Sequence, residues 1–260
     1  MELPFTIEQI MTFMLILIRV GAIIIALPLF GSEDIPRIAK AGIIILLTIL
    51  VYPCVETPPG LSEIKLLALL PSIISEVIIG VMIGFSTKLI FESVQLAGNL
   101  IGMQMGFGIA RVMDPITGTQ FSVISQFFNI LITLLFIATN MHHLFIRAIV
   151  SSFEKIPLLQ CYLSPSLFEY IIKISSNLFF LAIKLGAPII AILLFVTAAF
   201  GMINKSVPQL HIMIIGMPLK ITAGLIAIGL IMPTFIMMLK RTFPLIEGYV
   251  FNTISLAKLP

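Results

Sequence analysis

The stretch from Leu66 to about Gln104 reads as one apolar run. It holds roughly 39 residues, or about 58 Å if helical throughout at 1.5 Å per residue. A bilayer core needs only about 20 residues. Glu76, Lys88 and Glu92 interrupt the run. The segment must therefore bend, split, or reach beyond the membrane, and a plain serpentine of equal spans describes it poorly. Within it, Lys88, Glu92, Gln95 and Asn99 fall three or four residues apart, which places them on one helix face. Gly80xxxGly84 and Gly98xxxGly102xxxGly106 allow another backbone to approach closely.

A second run, Gln120 to Met141, carries no charged side chain. Its polar residues Ser122, Gln126, Asn129 and Thr133 form a matching stripe. An unpaired amide or charge against lipid tails costs several kcal/mol, so both stripes belong against protein or water. The loop between the runs, Met105 to Thr119, then sits at the tip of a hairpin. An ordinary connection is short and polar, whereas this one has about fifteen residues and is sticky. Gly106, Gly108 and Gly118 give it backbone freedom, and Phe107, Ile109, Val112 and Met113 give it bulk. Asp114-Pro115 sets a turn. Two readings stay open: a buried re-entrant connector, or a plug that closes a pore by steric fill and dewetting.

Composition explains why the surroundings cannot be water alone. Of 260 residues, 59% are hydrophobic and 10% charged, and the mean hydropathy is +1.18. A soluble domain carries roughly 25% charged residues and could not hide this much apolar side chain. The net charge of +3 and the lack of a basic cluster argue against nucleic acid. Trp is absent and Tyr scarce, so the interfacial aromatic belt is thin. Cys54 and Cys161 have no CxxC companion and read as small apolar fillers. Glu2 and Glu8 precede the first apolar run with no basic residue, so that run is expected to be retained.

The other runs follow in order. Glu8 to Phe30 contains Arg19, which either snorkels to an interface or pairs with a carboxylate inside an assembly. Ile38 to Val55 is almost free of charge. His142, His143 and Arg147 close the run that ends at Met141, and Ser151 to Pro165 reads as a loop. Ser166 to Asn204 is expected to kink at Pro188. His211 to Lys240 is the last long run, and Lys240-Arg241 opens an amphipathic tail. Alternating the loops between two sides sets Arg37, Lys40, Arg111 and Lys205 against Lys65, Lys155, Lys240 and Arg241, so charge bias leaves orientation undecided.

No nucleotide-binding P-loop, HExxH or GxSxG occurs. His142 and His143 are adjacent and point about 100° apart on a helix, a poor arrangement for one metal. No catalytic set, metal site or cofactor site is expected. Glu76 or Glu92 would be ion-coupling candidates were the chain a solute carrier.

The segment Gly98-Asn-Leu-Ile-Gly-Met-Gln-Met-Gly-Phe-Gly-Ile-Ala110, with Asp114-Pro115 and Gly118, resembles the FliR family of flagellar type III export-gate proteins, whose injectisome relatives are called SctT. His142-His143, Ser152-Phe153 with Pro157, Val207-Pro208-Gln209 and Gly216-Met-Pro-Leu-Lys220 fit the same pattern. Near the start, Arg19, Pro28, Phe30, Pro36 and Lys40 fit too, so the likeness covers essentially the whole chain. Met141 departs from it, since the family often has glycine there.

The resemblance implies an all-α, membrane-associated protein of long bent helical hairpins packed into a multi-subunit gate. Residues 1–175 would be FliP-like and residues 176–260 FliQ-like. The partners implied are FliP-like and FliQ-like subunits, FlhB-like and FlhA-like components, and unfolded flagellar proteins as cargo, in the bacterial inner membrane within the flagellar basal body. The family's plug matches the 106–120 loop, so Phe107, Ile109, Val112 and Met113 would occlude the pore, with Gly106, Gly108 and Gly118 as hinges. Lys88, Glu92, Gln95, Asn99, Gln126 and Asn129 would line the conduit or contact neighbours. A virulence injectisome subunit and an ion-coupled solute transporter are the alternatives.

Overall fold

The computed structural model describes residues 6–31, 35–61, 66–107, 122–160, 164–206 and 212–258. Those residues are almost wholly helical, with no strand among them. In chain order the helices are α1 (Ile7–Ala26), the short α2 (Pro28–Gly31), α3 (Arg37–Val51), α4 (Leu66–Met105), α5 (Val123–Ala138), α6 (His142–Lys155), α7 (Pro165–Ser206) and α8 (Ile212–Leu256). Among the described residues, five helices are long and apolar enough to cross a membrane, and the bent pair α5 and α6 makes a sixth candidate.

Local chemistry sets the boundaries. Thr6 caps α1 with a reciprocal pair: its hydroxyl accepts the Gln9 N–H at 3.3 Å, and Gln9 Oε1 accepts the Thr6 N–H at 2.9 Å. Leu27 is extended at ψ 135°, as a residue before proline prefers, and this ends α1 ahead of Pro28. Asn140 at φ 56° turns the chain between α5 and α6, which meet at 71°. Asparagine tolerates that left-handed conformation better than most residues.

The over-long third run is one continuous helix, α4, of 40 residues, with Pro71 in its second turn. The helix does not split, and at 1.5 Å per residue its length along the chain is about 60 Å, twice a bilayer core. The segment after Met141 differs from its sequence reading. The helix α6 runs to Lys155, inside the stretch read as a loop from Ser151. Its apolar residues Leu144, Phe145, Ala148, Ile149 and Phe153 are buried at helical spacing, so tertiary packing carries the helix past the polar Ser151-Ser152 pair. The tail after Lys240 is a direct continuation of α8 to Leu256.

The chain forms two compact units. The first joins Met1–Leu89, Ile137–Ser175 and Pro244–Pro260, and the second joins Ile90–Phe136 and Ser176–Phe243. In the first unit α1 and α4 run parallel. Arg19 pairs with Glu76, a Cβ on Gly80 would lie 2.6 Å from Ala22 Cβ, and one on Gly84 would lie 2.5 Å from Ala26 Cβ. Both glycines thus let the backbones touch, as small residues do between membrane helices.

Arg19 neither snorkels nor waits for another subunit. It is fully buried and its Nε donates to Glu76 Oε2, also fully buried. Its Nη1 donates to the Ser152 and Ile156 carbonyls at 2.9 and 2.8 Å, and the guanidinium lies 4.3 Å from the Phe153 ring centre. Glu76 Oε1 also accepts the Leu159 N–H at 3.4 Å. One ion pair therefore ties α1, α4 and the turn after α6 together. Elsewhere in this unit Ser86 and Thr253 share a buried hydrogen bond of 2.9 Å.

Aromatic rings fill the second unit. Phe128 stacks on Phe235 at 4.6 Å, and Phe136 meets Phe91 at 5.6 Å and Phe243 at 6.3 Å, both edge-on. Ring pairs in these geometries add about 0.5–1.5 kcal/mol each beyond the area they bury.

Candidate functional site at the base of the long loop

In the second unit the end of α4 and the start of α5 pack against each other on either side of residues 108–121, which lie outside the described residues. Gly98 and Gly102 lie one helical turn apart and face Ser122 and Ser125. A Cβ on Gly98 would lie 2.6 Å from the Ser125 Cα, and one on Gly102 would lie 2.1 Å from the Ser122 Oγ. At Gly98 the obstacle to a side chain is the Ser125 backbone, whereas at Gly102 it is the Ser122 side chain, whose Cβ would also lie 2.9 Å away. The amide of Asn99 joins the same contact, its Oδ1 accepting the Ser122 N–H at 3.5 Å. The Ser122 hydroxyl in turn accepts the Ile124 N–H at 3.2 Å, which satisfies an otherwise open donor at the start of α5.

The α4 side of the base ends in a backbone break. Gly106 has φ +99°, a conformation closed to most L side chains, and its N–H bonds the Met103 carbonyl at 3.1 Å. Met105, fully buried, packs on Gly224 of α8, where an added Cβ would come within 2.7 Å of its side chain. Met217 lies against Gly106, with its Cγ 3.8 Å from where a Cβ would stand. Phe107 follows, half-buried. The remaining proposed plug residues Ile109, Val112 and Met113, and the hinges Gly108 and Gly118, lie outside the described residues.

The polar stripes divide on inspection. Asn99 is at the base itself, while Glu92, Gln95 and Asn129 are half-buried and Lys88 and Gln126 are exposed. Ser125 was not among the residues singled out from the sequence, yet its backbone forms the floor under Gly98. A spacing signal existed, since Ser122 and Ser125 repeat at the interval of a small-residue face. The pairing of that face with Gly98xxxGly102 is a three-dimensional fact. The contact of Met105 with Gly224 joins residues far apart in sequence and left no local trace.

Among the described residues no group of three or more His, Cys, Asp or Glu stands close enough together to hold a metal. The arrangement can hold two helix ends at a fixed separation while a glycine sets the exit direction of the chain. Long apolar helices with exposed Phe179, Phe195 and Leu230, and a loop pinned at both ends, define a multi-pass α-helical membrane protein.

Sequence comparison names the family. The family model of bacterial export proteins, family 1, matches residues 10–245. The flagellar biosynthetic protein FliR of Bacillus subtilis is 32% identical over 247 residues, covering 94% of this chain and 95% of the relative. The protein of that name from Pectobacterium carotovorum is 33% identical over 216 residues, 83% of this chain and 82% of its own. The one from Escherichia coli is 29% identical over 239 residues, 92% and 91% of the two chains. The chain belongs to the bacterial export proteins of family 1.

Proposed function

We propose that this chain is a subunit of the flagellar type III export gate in the bacterial inner membrane. It forms part of the conduit through which unfolded flagellar proteins leave the cytoplasm, and its long loop plugs the closed pore. Residues 1–175 take the place of a FliP-like hairpin region and residues 176–260 that of a FliQ-like hairpin. The neighbours are FliP-like and FliQ-like subunits, with FlhB-like and FlhA-like components alongside. The relatives that match over most of their length are flagellar biosynthetic proteins, which favours this reading.

The observation that carries the plug is the loop's base. Gly98, Gly102, Ser122 and Asn99 hold its two ends together, so an apolar loop leaves the helices at a defined place. Gly106 at φ +99° supplies a joint next to Phe107. Phe107, Ile109, Val112 and Met113 fill the pore in the closed state, and Gly106, Gly108 and Gly118 let the loop swing aside. Lys88, Glu92, Gln95, Gln126 and Asn129 meet neighbouring subunits or the conduit. The chain performs no bond-making chemistry in this account; other components supply the energy.

The test is deletion of residues 106–113 from the gene at its own locus. Cells carrying the deletion should assemble the complex but leak small ions. An assembled complex with the wild-type ion barrier contradicts the plug.

A further inference from the structure

One face of α8 runs along the second unit and ends on the joint where the chain leaves α4. Met217, Gly224 and Phe235 fall within about 20° of one another around an ideal helix. Each meets a different partner. Phe235 stacks on Phe128, whose Cδ2 lies 3.0 Å from where a Cβ on Gly98 would stand. Gly224 faces the side chain of Met105, and Met217 faces Gly106. Ile228 and Leu239, both buried, complete the face.

The contact at Gly224 differs from ordinary core packing in where it acts. Met105 is the last residue of α4, a position that normally frays, yet it is fully buried. A Cβ on Gly224 would stand 2.7 Å from its Cγ and its Cε and 2.8 Å from its Sδ. The thioether therefore lies along a notch that exists because residue 224 has no side chain. Unbranched methionine follows such an irregular gap better than a stiffer side chain does. The next residue is Gly106 at φ +99°, whose N–H turns back to the Met103 carbonyl. Met105 is thus the fully buried side chain next to the joint, and α8 supplies its seat.

We infer that Met105 is a positioning residue for the segment beyond Gly106: seated on Gly224, it lets α8 set the direction in which the chain leaves α4. The contacts at Gly102 and Gly98 fix where α4 meets α5, four and eight positions before Gly106. Met105 and Met217 act at the joint itself, one bonded to Gly106 and the other 3.8 Å from where its Cβ would be. The notch also fixes the register of α8. Four positions away on the same face stand Lys220 and Ile228, whose side chains would fill the space that Met105 takes. An ordinary core methionine contributes stability alone, whereas a seat beside the joint also governs where the following segment points. The inference rests on the reading of that segment as a plug, because a plug needs a set direction.

The test uses the full chain expressed from its own locus, with Cys54 and Cys161 replaced by serine and the pair M105C/G224C introduced. A cysteine at 105 carries its sulfur where the Met105 Cγ stands, 2.7 Å from a Cβ at 224 and so within disulfide reach. Reduced, the pair lacks the thioether, and the leak of small ions should rise by about tenfold or more, in line with the loss of a buried methionine. Mild oxidation joins 105 to 224, and the same assembled complexes should regain the wild-type barrier. Both states are one population of protein, so a folding defect would persist in both. Failure of the cross-link to form overturns the contact. A reduced pair as tight as wild type, or an oxidised pair as leaky as the reduced one, overturns the positioning role. The variant G224A pushes Met105 from its seat and should leak with an unchanged amount of chain in the membrane; a tight barrier there counts equally against the seat. The 106–113 deletion is measured beside them. A leaky deletion with a tight reduced pair overturns the seat and keeps the plug, whereas a tight deletion overturns the plug and the role of the seat with it.

Discussion

Gly102 and Ser122 approach so closely that a β-carbon on the glycine would stand 2.1 Å from the serine hydroxyl oxygen. Two helix ends are thereby locked on either side of the segment that carries Phe107, Ile109, Val112 and Met113. Substitution Gly102→Ala forces Ser122 away and costs about 1–3 kcal/mol through overpacking. Flagellar motility in soft agar should fall sharply. The double variant G102A/S122G removes the clashing side chain and should regain much of the lost motility. Equal defects in the single and double variants would place the cause elsewhere.

The second prediction concerns the clamp between Arg19 and Glu76. Removing one partner leaves a buried charge without its counter-ion, a loss of about 3–5 kcal/mol. Both Arg19→Met and Glu76→Leu should therefore lower the steady-state amount of the chain in membranes, read by immunoblot. The double variant R19M/E76L removes both charges and should be more abundant than either single variant. The Ser152 and Ile156 carbonyls that Arg19 holds set a ceiling on that recovery.

The third concerns Gly106. Its φ of +99° is strained for any side chain, by about 1–3 kcal/mol. Among the described residues the nearest atom to an added Cβ is Met217 Cγ at 3.8 Å, so these residues leave space for it. Gly106→Ala should therefore alter the exit of the loop while leaving the packed helices alone. Export of flagellar subunits into the medium should drop, with the amount of the chain in the membrane unchanged.

The fourth tests the ring layer of the second unit. Phe235 is buried and stacked on Phe128. Phe235→Ala should destabilise by about 3–5 kcal/mol, as large-to-small changes of buried aromatics do. Thermal aggregation of the detergent-extracted chain should begin at a lower temperature, whereas Phe195→Ala, on the exposed surface, should leave it unchanged.

The all-helical, membrane-bound character was legible because it follows from composition and run length, both of which are local. The overreach of α4 was legible for the same reason. The fate of Arg19 was not. A lone arginine in an apolar run carries no mark of its partner, and Glu76 lies 57 positions away with two carbonyls from a third segment completing the site. The helix α6 was partly missed because Ser151-Ser152 and Pro157 look like a loop, while buried Phe145, Ile149 and Phe153 hold it helical. At the loop base, Gly98xxxGly102 announced a close approach. Only the fold shows that Ser122 and Ser125 of the next helix are what approaches.

Ion conductance across membranes carrying the 106–113 deletion tests the plug most directly. The wild-type chain should hold the membrane tight, and the deletion should depolarise cells while the complex remains assembled on native gels. An assembled deletion complex with unchanged membrane potential would contradict the account.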